Sequence, residues 1–379
     1  MVREPQTTAS VLRRLILPGA FLAVVTFTWL KRGREAELAM EQAQEAQAME
    51  SFSGQTMGTT YAVKIQQQLR PEQRVLVQQR IDAELAAVNS SMSTWQQDSE
   101  LSRFNRHPVG EPMVASQGLR SVVEISKGVW EKSGGAFDPT IGPLVDLWGF
   151  GPTTPTGTVP SDLEIELALE QVDFPAVTLG ADTLSRSRED LRLDLSAVAK
   201  GYGVDQVSMA LNELGFESHM VEVGGEVRAG QAKWDGQPWR IAVERPNGLG
   251  GIQEVVSLEG LSMATSGDYR NFFDSNGERK SHTIDPRSGQ PIAHGLASVT
   301  VLHPLCALAD AYATALNVMG PEQGLALAEE LQLPVLMLVR EGEGLTELRS
   351  SHFPELQPRS DTAVKGSPGL NPMNTGETP

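Results

Sequence analysis

The chain has 379 residues, with 40% apolar and 21% charged side chains, the balance of a globular protein with room for one large domain or two smaller ones. Its net charge of −17 argues against a nucleic-acid binder and against a basic membrane-surface footprint. A single cysteine, Cys306, excludes a disulfide framework and a cysteine-based zinc site; the six histidines form no His-x-x-x-His pair, so a metal site has to use oxygen ligands, as magnesium and calcium sites do.

Residues 1–34 read as a signal or membrane anchor. Leu15 to Leu30 is uncharged and mostly apolar, with Arg13 and Arg14 before it and Lys31, Arg32 and Arg34 after it. The run is shorter than the ~20 residues of a spanning helix, but snorkelling arginines extend it. A cleaved signal peptide is the rival, yet no small-residue site follows closely; the nearest Ala-x-Ala pair, Ala46 and Ala48, is well downstream. An uncleaved anchor is therefore favoured. Residues 35–50, rich in strong helix formers with a thin alanine face, read as a helical spacer. Residues 51–354 form the main domain, and the Pro-, Ser-, Thr- and Gly-rich stretch 355–379 reads as a disordered tail.

Within the domain, residues 51–65 predict a strand with Gly54 and Gly58 in a turn. Glu72 to Met92 predicts an amphipathic helix with Val75, Ile81, Leu85 and Val88 on one face. A short helix capped by Ser99 and another over Ser116–Gly134 follow. Ala136 to Gly151 looks like a loop shaped around a ligand. A short helix (161–171) and two strands (about 176–195) come next. Leu191, Leu193 and Leu195 alternate with Arg192 and Asp194, which predicts a half-buried strand. That strand runs through a small-residue turn holding Lys200 and Gly201 into a helix, with Ser196 as its N-cap. Beyond it lie a strand broken at Gly224-Gly225, a meander, a strand (296–302), helices over Cys306–Met319 and 321–332, and a final pair of strands. Strands cluster in meanders, no G-x-G-x-x-G joins a strand to a helix, and no repeat is visible, so the class is α+β and not a Rossmann domain.

Four groups of residues are candidates for chemistry. Lys200 beside the start of a helix suits a phosphate, or is a solvated lysine at an ordinary strand–helix joint. Asp310 and Thr314 lie one turn apart on an alanine-rich helix face; they are either buried hydrogen-bonding groups or two oxygen ligands for Mg²⁺. His282 alternates with Ile284 near a strand end and is either a packed histidine or a well-held acid or base. Asp138 and Asp268 sit in glycine-containing loops, where capping of backbone N–H groups is the plain reading.

Together, MGTTYAVKI (57–65), MSTWQQDSELSRFN (92–105), GAFDPTIGPLVDLWGFG (135–151), LDLSAVAKGYGVD (193–205), VEVGGEVRAG (221–230), ATSGDYRNFF (264–273), SHTIDPRSGQPI (281–292) and ADAYATALNVMG (309–320) resemble the ApbE family of FAD:protein FMN transferases. The resemblance implies a single ApbE-like (T-fold-like) α+β domain of mixed or antiparallel sheets flanked by helices. It implies FAD as donor, Mg²⁺, transfer of FMN to a Ser or Thr hydroxyl of an acceptor flavoprotein, and release of AMP. By motif position the metal falls to the Ala197 carbonyl, Asp310 and Thr314. FAD falls to Met57, Trp95, Ala136, Phe137, Asp138, Asp194, Lys200 and Ile284, with His282 as the candidate base. Ala313 stands where some relatives carry a second acid, which leaves one metal or two open. The resemblance further implies an acceptor subunit in a membrane redox complex, and a domain held at the bacterial inner membrane facing the periplasm. The alternatives are hydrolysis of FAD to FMN and AMP, and a non-catalytic flavin-binding protein on the membrane.

Overall fold

The structure is a computed structural model; it describes residues 48–151, 159–246, 251–267, 272–275, 278–342 and 344–355, with the backbone alone for 272–275 and 278–280. The expected anchor, nearly all of the expected spacer and tail, and Asp268 lie outside these residues. Among the described residues no helix is long and apolar enough to cross a membrane.

The chain first forms a hairpin of β1 (Glu50–Thr56) and β2 (Thr59–Ile65). Two residues close it, Met57 and Gly58, at φ of 50° and 71°. Both angles are left-handed, the backbone of a primed two-residue turn whose twist matches the strands. This corrects the single strand read over 51–65 and moves its start back to Glu50. Gly54 lies within β1, where a Cβ would come 2.7 Å from the Tyr61 ring across the hairpin, so its role is cross-strand clearance and not turning.

Helix α1 (Pro71–Met92) buries Val77, Ile81, Leu85, Val88 and Met92. Val75, read as part of that face, is 57% exposed. Helix α2 (Glu100–Asn105) starts where the Ser99 hydroxyl accepts from the Ser102 N–H. Then come β3 (Met113–Val114) and α3 (Gln117–Ser133), capped by Ser116 and ended by left-handed Gly134. The 136–151 loop contains a helix of its own, α4 (Gly142–Leu147); α5 (Asp162–Leu169), β4 (Val177–Leu179) and β5 (Thr183–Arg186) follow.

Residues 191–195 are not a strand. The alternation is real, since Leu191, Leu193 and Leu195 are buried in one cluster. The backbone, however, bonds to side chains and a loop: Asn105 pairs both ways with Leu193 (2.9 Å each), the Asp194 N–H donates to the Pro139 carbonyl (2.7 Å), and Arg186 donates to the Leu191 carbonyl (2.7 Å). Helix α6 (Ser196–Glu213) begins at once, so Lys200 and Gly201 lie inside a helix and not in a turn. Its first N–H, on Ser196, is capped by Asp194 Oδ1 (2.8 Å), not by the Ser196 hydroxyl.

The remaining elements are β6 (His219–Val223), β7 (Glu226–Ala229), β8 (Trp239–Glu244), β9 (Ile252–Leu258), β10 (Ser262–Gly267), β11 (Phe272–Ser275), β12 (Glu278–Ser281), β13 (Leu296–His303), α7 (Cys306–Glu330), β14 (Val335–Glu341) and β15 (Gly344–Arg349). Gly320, at φ 79° and ψ 179°, divides α7 into two helical pieces, as the sequence predicts. His282 falls one residue past β12, and Ile284 bridges Pro291, so neither is inside a regular strand.

An eight-stranded sheet in the order β1-β2-β6-β7-β10-β13-β14-β15 carries the fold. Every strand pair among the described residues is antiparallel, which sharpens the expected mixed-or-antiparallel sheet. One face packs on α1, α6 and α7, through clusters that include Val63, Ile81, Val204 and Val221 at one end and Val299, Val301, Ala309 and Leu316 at the other. The hairpin β8–β9 covers the opposite face through Trp239, Val256, Leu302 and Leu338. Because β13 is covered on both sides, its first seven residues are all buried, Ser298 and Thr300 included.

Candidate active site

Two central helices cross where neither carries bulk. A Cβ on Gly201 would lie 2.4 Å from the Cys306 carbonyl oxygen and 2.9 Å from the Ala307 Cα, so only glycine permits this approach of α6 to α7. Asp205, one turn on, fixes the start of α7 by accepting from the Cys306 and Ala307 N–H groups (3.0 Å each) while Arg228 donates to it. The crossing places the Gly201 N–H 3.0 Å from Asp310 Oδ2. In a regular helix that N–H points to the Ala197 carbonyl; here it serves a carboxylate from the neighbouring helix.

Lys200 stands beside this contact. Its ammonium is 2.9 Å from Glu226 Oε1 and 3.7 Å from Asp310 Oδ1. Burial works against its charge, but Asp310 and Glu226 outweigh burial and hold it well above the usual lysine range. Burial pushes Glu226 up to about 7 although Lys200 pulls it down. The Cys306 thiol, buried near the same acids, is pushed up as well, so it is an inert packing group here.

Lys200 also lines one of two neighbouring cavities that share Asp194 and Ser196. The wider, of about 660 Å³, is lined among others by Met57, Met92, Trp95, Asp194, Ala199 and Lys200. Trp95 is 73% exposed, held at the rim by a turn in which the Ser93 hydroxyl accepts from the Trp95 and Gln96 N–H groups. Met57 enters from the hairpin turn and packs on Gly203, whose Cβ would meet the Met57 methyl at 2.8 Å. A left-handed non-glycine residue stores strain, and here it aims a side chain into the cleft.

The narrower cavity, of about 70 Å³, is lined by Ala136, Phe137, Asp138, Asp194, Ala197, Ile284 and Thr314 among others. Asp194 and Ser196 border both cavities. The predicted flavin-site residues thus divide into two groups joined at Asp194. Asp138 lines the narrow cavity, yet its carboxylate is engaged: Trp130 Nε1 donates to Oδ2 (3.0 Å), and the Thr140 N–H (2.7 Å) and hydroxyl (2.5 Å) donate to Oδ1. Burial still leaves its carboxyl above the ordinary value. It shapes the loop. Trp148 ties that loop to the segment carrying Ile284 by donating to the Gly289 carbonyl (2.8 Å).

His282 is outside both linings. Its ring meets Phe150 edge to face, with centroids 6.2 Å apart. Asp310 is buried and lines neither cavity; Thr314, one turn beyond it, lines the narrow one. A cation held by Asp310, Thr314 and the Ala197 carbonyl would meet oxygen ligands only, as Mg²⁺ does and softer metals do not; of the three, Ala197 and Thr314 both line the narrow cavity. No cluster of three His, Cys, Asp or Glu side chains that would hold a metal occurs among the described residues, so a cation here needs backbone and hydroxyl oxygens.

Sequence reasoning missed Glu226 and Asp205. Each carried a signal: an acid directly after the Gly224-Gly225 break in a strand of valines, and an acid between Val204 and Val207 on a buried helix face. It took Gly201 for part of a turn, where the structure uses it for the helix crossing.

The fold and the paired cavities define a class: an α+β protein with two cavities joined at the start of a central helix, the wider lined by a lysine that is paired with buried carboxylates. The pattern of the ApbE family matches residues 57–337, and the chain belongs to that family. It is 45% identical over 303 residues to the FAD:protein FMN transferase of Vibrio cholerae serotype O1, a match covering 80% of this chain and 91% of that protein. It is 39% identical to the FAD:protein FMN transferase of Haemophilus influenzae over 84% of this chain and 94% of that one. Its fold is similar to the solved flavin transferase ApbE from Vibrio cholerae, with a TM-score of 0.75 at 43% identity over 81% of this chain and 98% of that one. The apo form of the flavinyl transferase ApbE of Pseudomonas stutzeri gives a TM-score of 0.75 at 40% identity, covering 80% and 95% of the two chains.

Proposed function

We propose that this chain transfers FMN from FAD to a serine or threonine hydroxyl of an acceptor flavoprotein, releases AMP, and requires Mg²⁺. The observation that carries this reading is Lys200, which lines a 660 Å³ cleft and is paired behind it with Glu226 and Asp310, in a chain whose relatives are FAD:protein FMN transferases. The wide cleft takes a ring system against Trp95 and Met57, and the narrow cavity takes a smaller group between Phe137, Ile284 and Thr314. Lys200 offers a fixed positive charge to a pyrophosphate in a protein that is otherwise strongly acidic. The Ala197 carbonyl, Asp310 and Thr314 would hold the metal. Mg²⁺ bound there would offset the charge on the phosphoryl oxygens. The acceptor oxygen forms a bond to the FMN phosphorus, the pyrophosphate bond breaks, and AMP leaves with the bridging oxygen. The acceptor's proton goes to His282, two residues before Ile284 of the narrow cavity.

One incubation tests the whole reading. The soluble part, residues 51–379, is mixed with FAD, Mg²⁺ and a candidate acceptor, and the gel is inspected for flavin fluorescence on the acceptor. Free FMN without labelling would point to hydrolysis, and neither product to binding alone. Two variants test the parts. Trp95→Ala should raise KM for FAD about tenfold with little change in kcat, since loss of an aromatic stacking partner costs about 1–3 kcal/mol; an unchanged KM removes Trp95 from the FAD site. His282→Ala should slow transfer at saturating FAD by roughly 10²- to 10⁴-fold, the usual worth of a positioned base; an unchanged rate removes the base assignment.

The uncharged run Leu15–Leu30 supports a membrane anchor with the domain facing the periplasm, where an acceptor subunit of a membrane redox complex would be within reach. The N-terminus of the mature protein decides whether that run is retained.

A further inference from the structure

Lys200 lines the wide cleft but does not stand free. Its stem crosses the Gly224-Gly225 turn so closely that a Cβ on Gly224 would come 3.2 Å from Lys200 Cδ and 2.8 Å from the Thr59 methyl. The turn then delivers Glu226, the first residue of β7, to the ammonium. Two carboxylates face that one ammonium, and Glu226 holds it: Glu226 Oε1 is in hydrogen-bond contact at 2.9 Å, whereas Asp310 Oδ1 is left at 3.7 Å. Glu226 is costly to keep. Its side chain is 6% exposed, and its second oxygen, Oε2, is buried without a hydrogen-bond partner.

We propose that Glu226 is a positioning residue that draws the Lys200 ammonium away from Asp310 and so keeps Asp310 open to a divalent cation. This rests on the reading of Asp310 as a metal ligand. An ammonium seated on Asp310 would occupy the oxygen that a cation needs and would repel the cation as well. Coulomb attraction grows as the partners approach, so the closer acid sets the position of the lysine. Without the charge of Glu226, Asp310 is the carboxylate left beside the ammonium, and Lys200 closes onto it. The idle Oε2 suggests a rival role, in which Glu226 ligates the cation directly, and the two roles have different consequences when Lys200 is removed.

The test is binding of Mn²⁺, followed by its electron paramagnetic resonance signal in the absence of FAD and acceptor, so that it reads the site and not turnover. Glu226→Gln keeps shape and hydrogen bonding but removes the charge. It should weaken Mn²⁺ binding about tenfold or more, the size commonly carried by residues that orient metal ligands. In activity, the Mg²⁺ concentration for half-maximal transfer should rise in proportion, with most of kcat recovered at saturating Mg²⁺. The double variant Lys200→Gln/Glu226→Gln should bind Mn²⁺ as tightly as Lys200→Gln alone, because the competitor is gone. Wild-type affinity in Glu226→Gln would overturn the proposal. So would a double variant weaker than Lys200→Gln by the same factor that separates Glu226→Gln from wild type, which would make Glu226 a direct ligand. Equal Mn²⁺ binding by wild type and Asp310→Ala would instead overturn the metal reading of Asp310, and this inference with it. Far-UV circular dichroism of each variant separates these outcomes from loss of the fold.

Discussion

Asp310→Asn is expected to cut flavin transfer about a thousandfold at a fixed Mg²⁺ concentration, with the fold intact. A factor of a thousand is about 4 kcal/mol at 1.36 kcal/mol per tenfold. That agrees with the several kcal/mol that a bound metal supplies in phosphoryl chemistry. Asparagine preserves volume and can still accept the Gly201 N–H through its oxygen, so the crossing of α6 and α7 survives. What it cannot do is present a second anionic oxygen. Its amide group faces Lys200 with donors, where the carboxylate faced it with an acceptor 3.7 Å away. Single-turnover labelling of an acceptor, read by flavin fluorescence, gives the rate; Mn²⁺ binding gives the cause. If the variant keeps a third or more of the wild-type rate while Mg²⁺ is present, Asp310 does not hold the metal.

The parts of the site that lie within one helix were legible in the sequence. Asp310 and Thr314 are one turn apart on an alanine-rich surface, and helical spacing alone puts them on a common face. The helix boundaries near Ser99, Ser116 and Gly134 were legible for the same reason, since caps are local chemistry. Burial was legible at Leu191, Leu193 and Leu195, but strand was the wrong inference from it. Alternation reports which side chains face a core. It does not report what satisfies the backbone, and here Asn105, Pro139 and Arg186 do that work in place of a neighbouring strand. Glu226 stood out in the sequence as an acid after a glycine pair, but its partner was not legible, because Lys200 sits on a different element and reaches it only after the sheet and α6 have packed. The failure at Val75 is smaller in kind: a helix face read a residue or two off assigns an exposed valine to the core and misses Val77.

Gly201→Ala and Gly128→Ala should shift the melting temperature in opposite directions. Both glycines lie inside helices, where alanine is favoured by up to about 1 kcal/mol, so helix propensity predicts the same modest gain at each site. Packing separates them. Around Gly128 on α3 a Cβ meets nothing within 4 Å, so the gain is realised and the melt moves up slightly. At Gly201 the Cβ would fall 2.4 Å from the Cys306 carbonyl oxygen, 2.7 Å from its carbon and 2.9 Å from the Ala307 Cα. All three are backbone atoms, so no rotamer change relieves the clash. The helices must part, and Asp205, which caps the first turn of α7 from α6, resists that movement. Overpacking of this kind costs about 1–3 kcal/mol before the helix gain is subtracted, enough to lower the melt by a few degrees. The displacement acts on the Gly201 N–H and Asp310 bond and on the adjacent Lys200, so Gly201→Ala should also lose Mn²⁺ affinity and transfer rate, while Gly128→Ala keeps both. If both variants melt higher than wild type, the crossing is looser than the geometry requires and does not set the site. If Gly201→Ala melts lower but binds Mn²⁺ normally, close approach is needed for stability alone, and the placement of Asp310 must be fixed by the rest of α7.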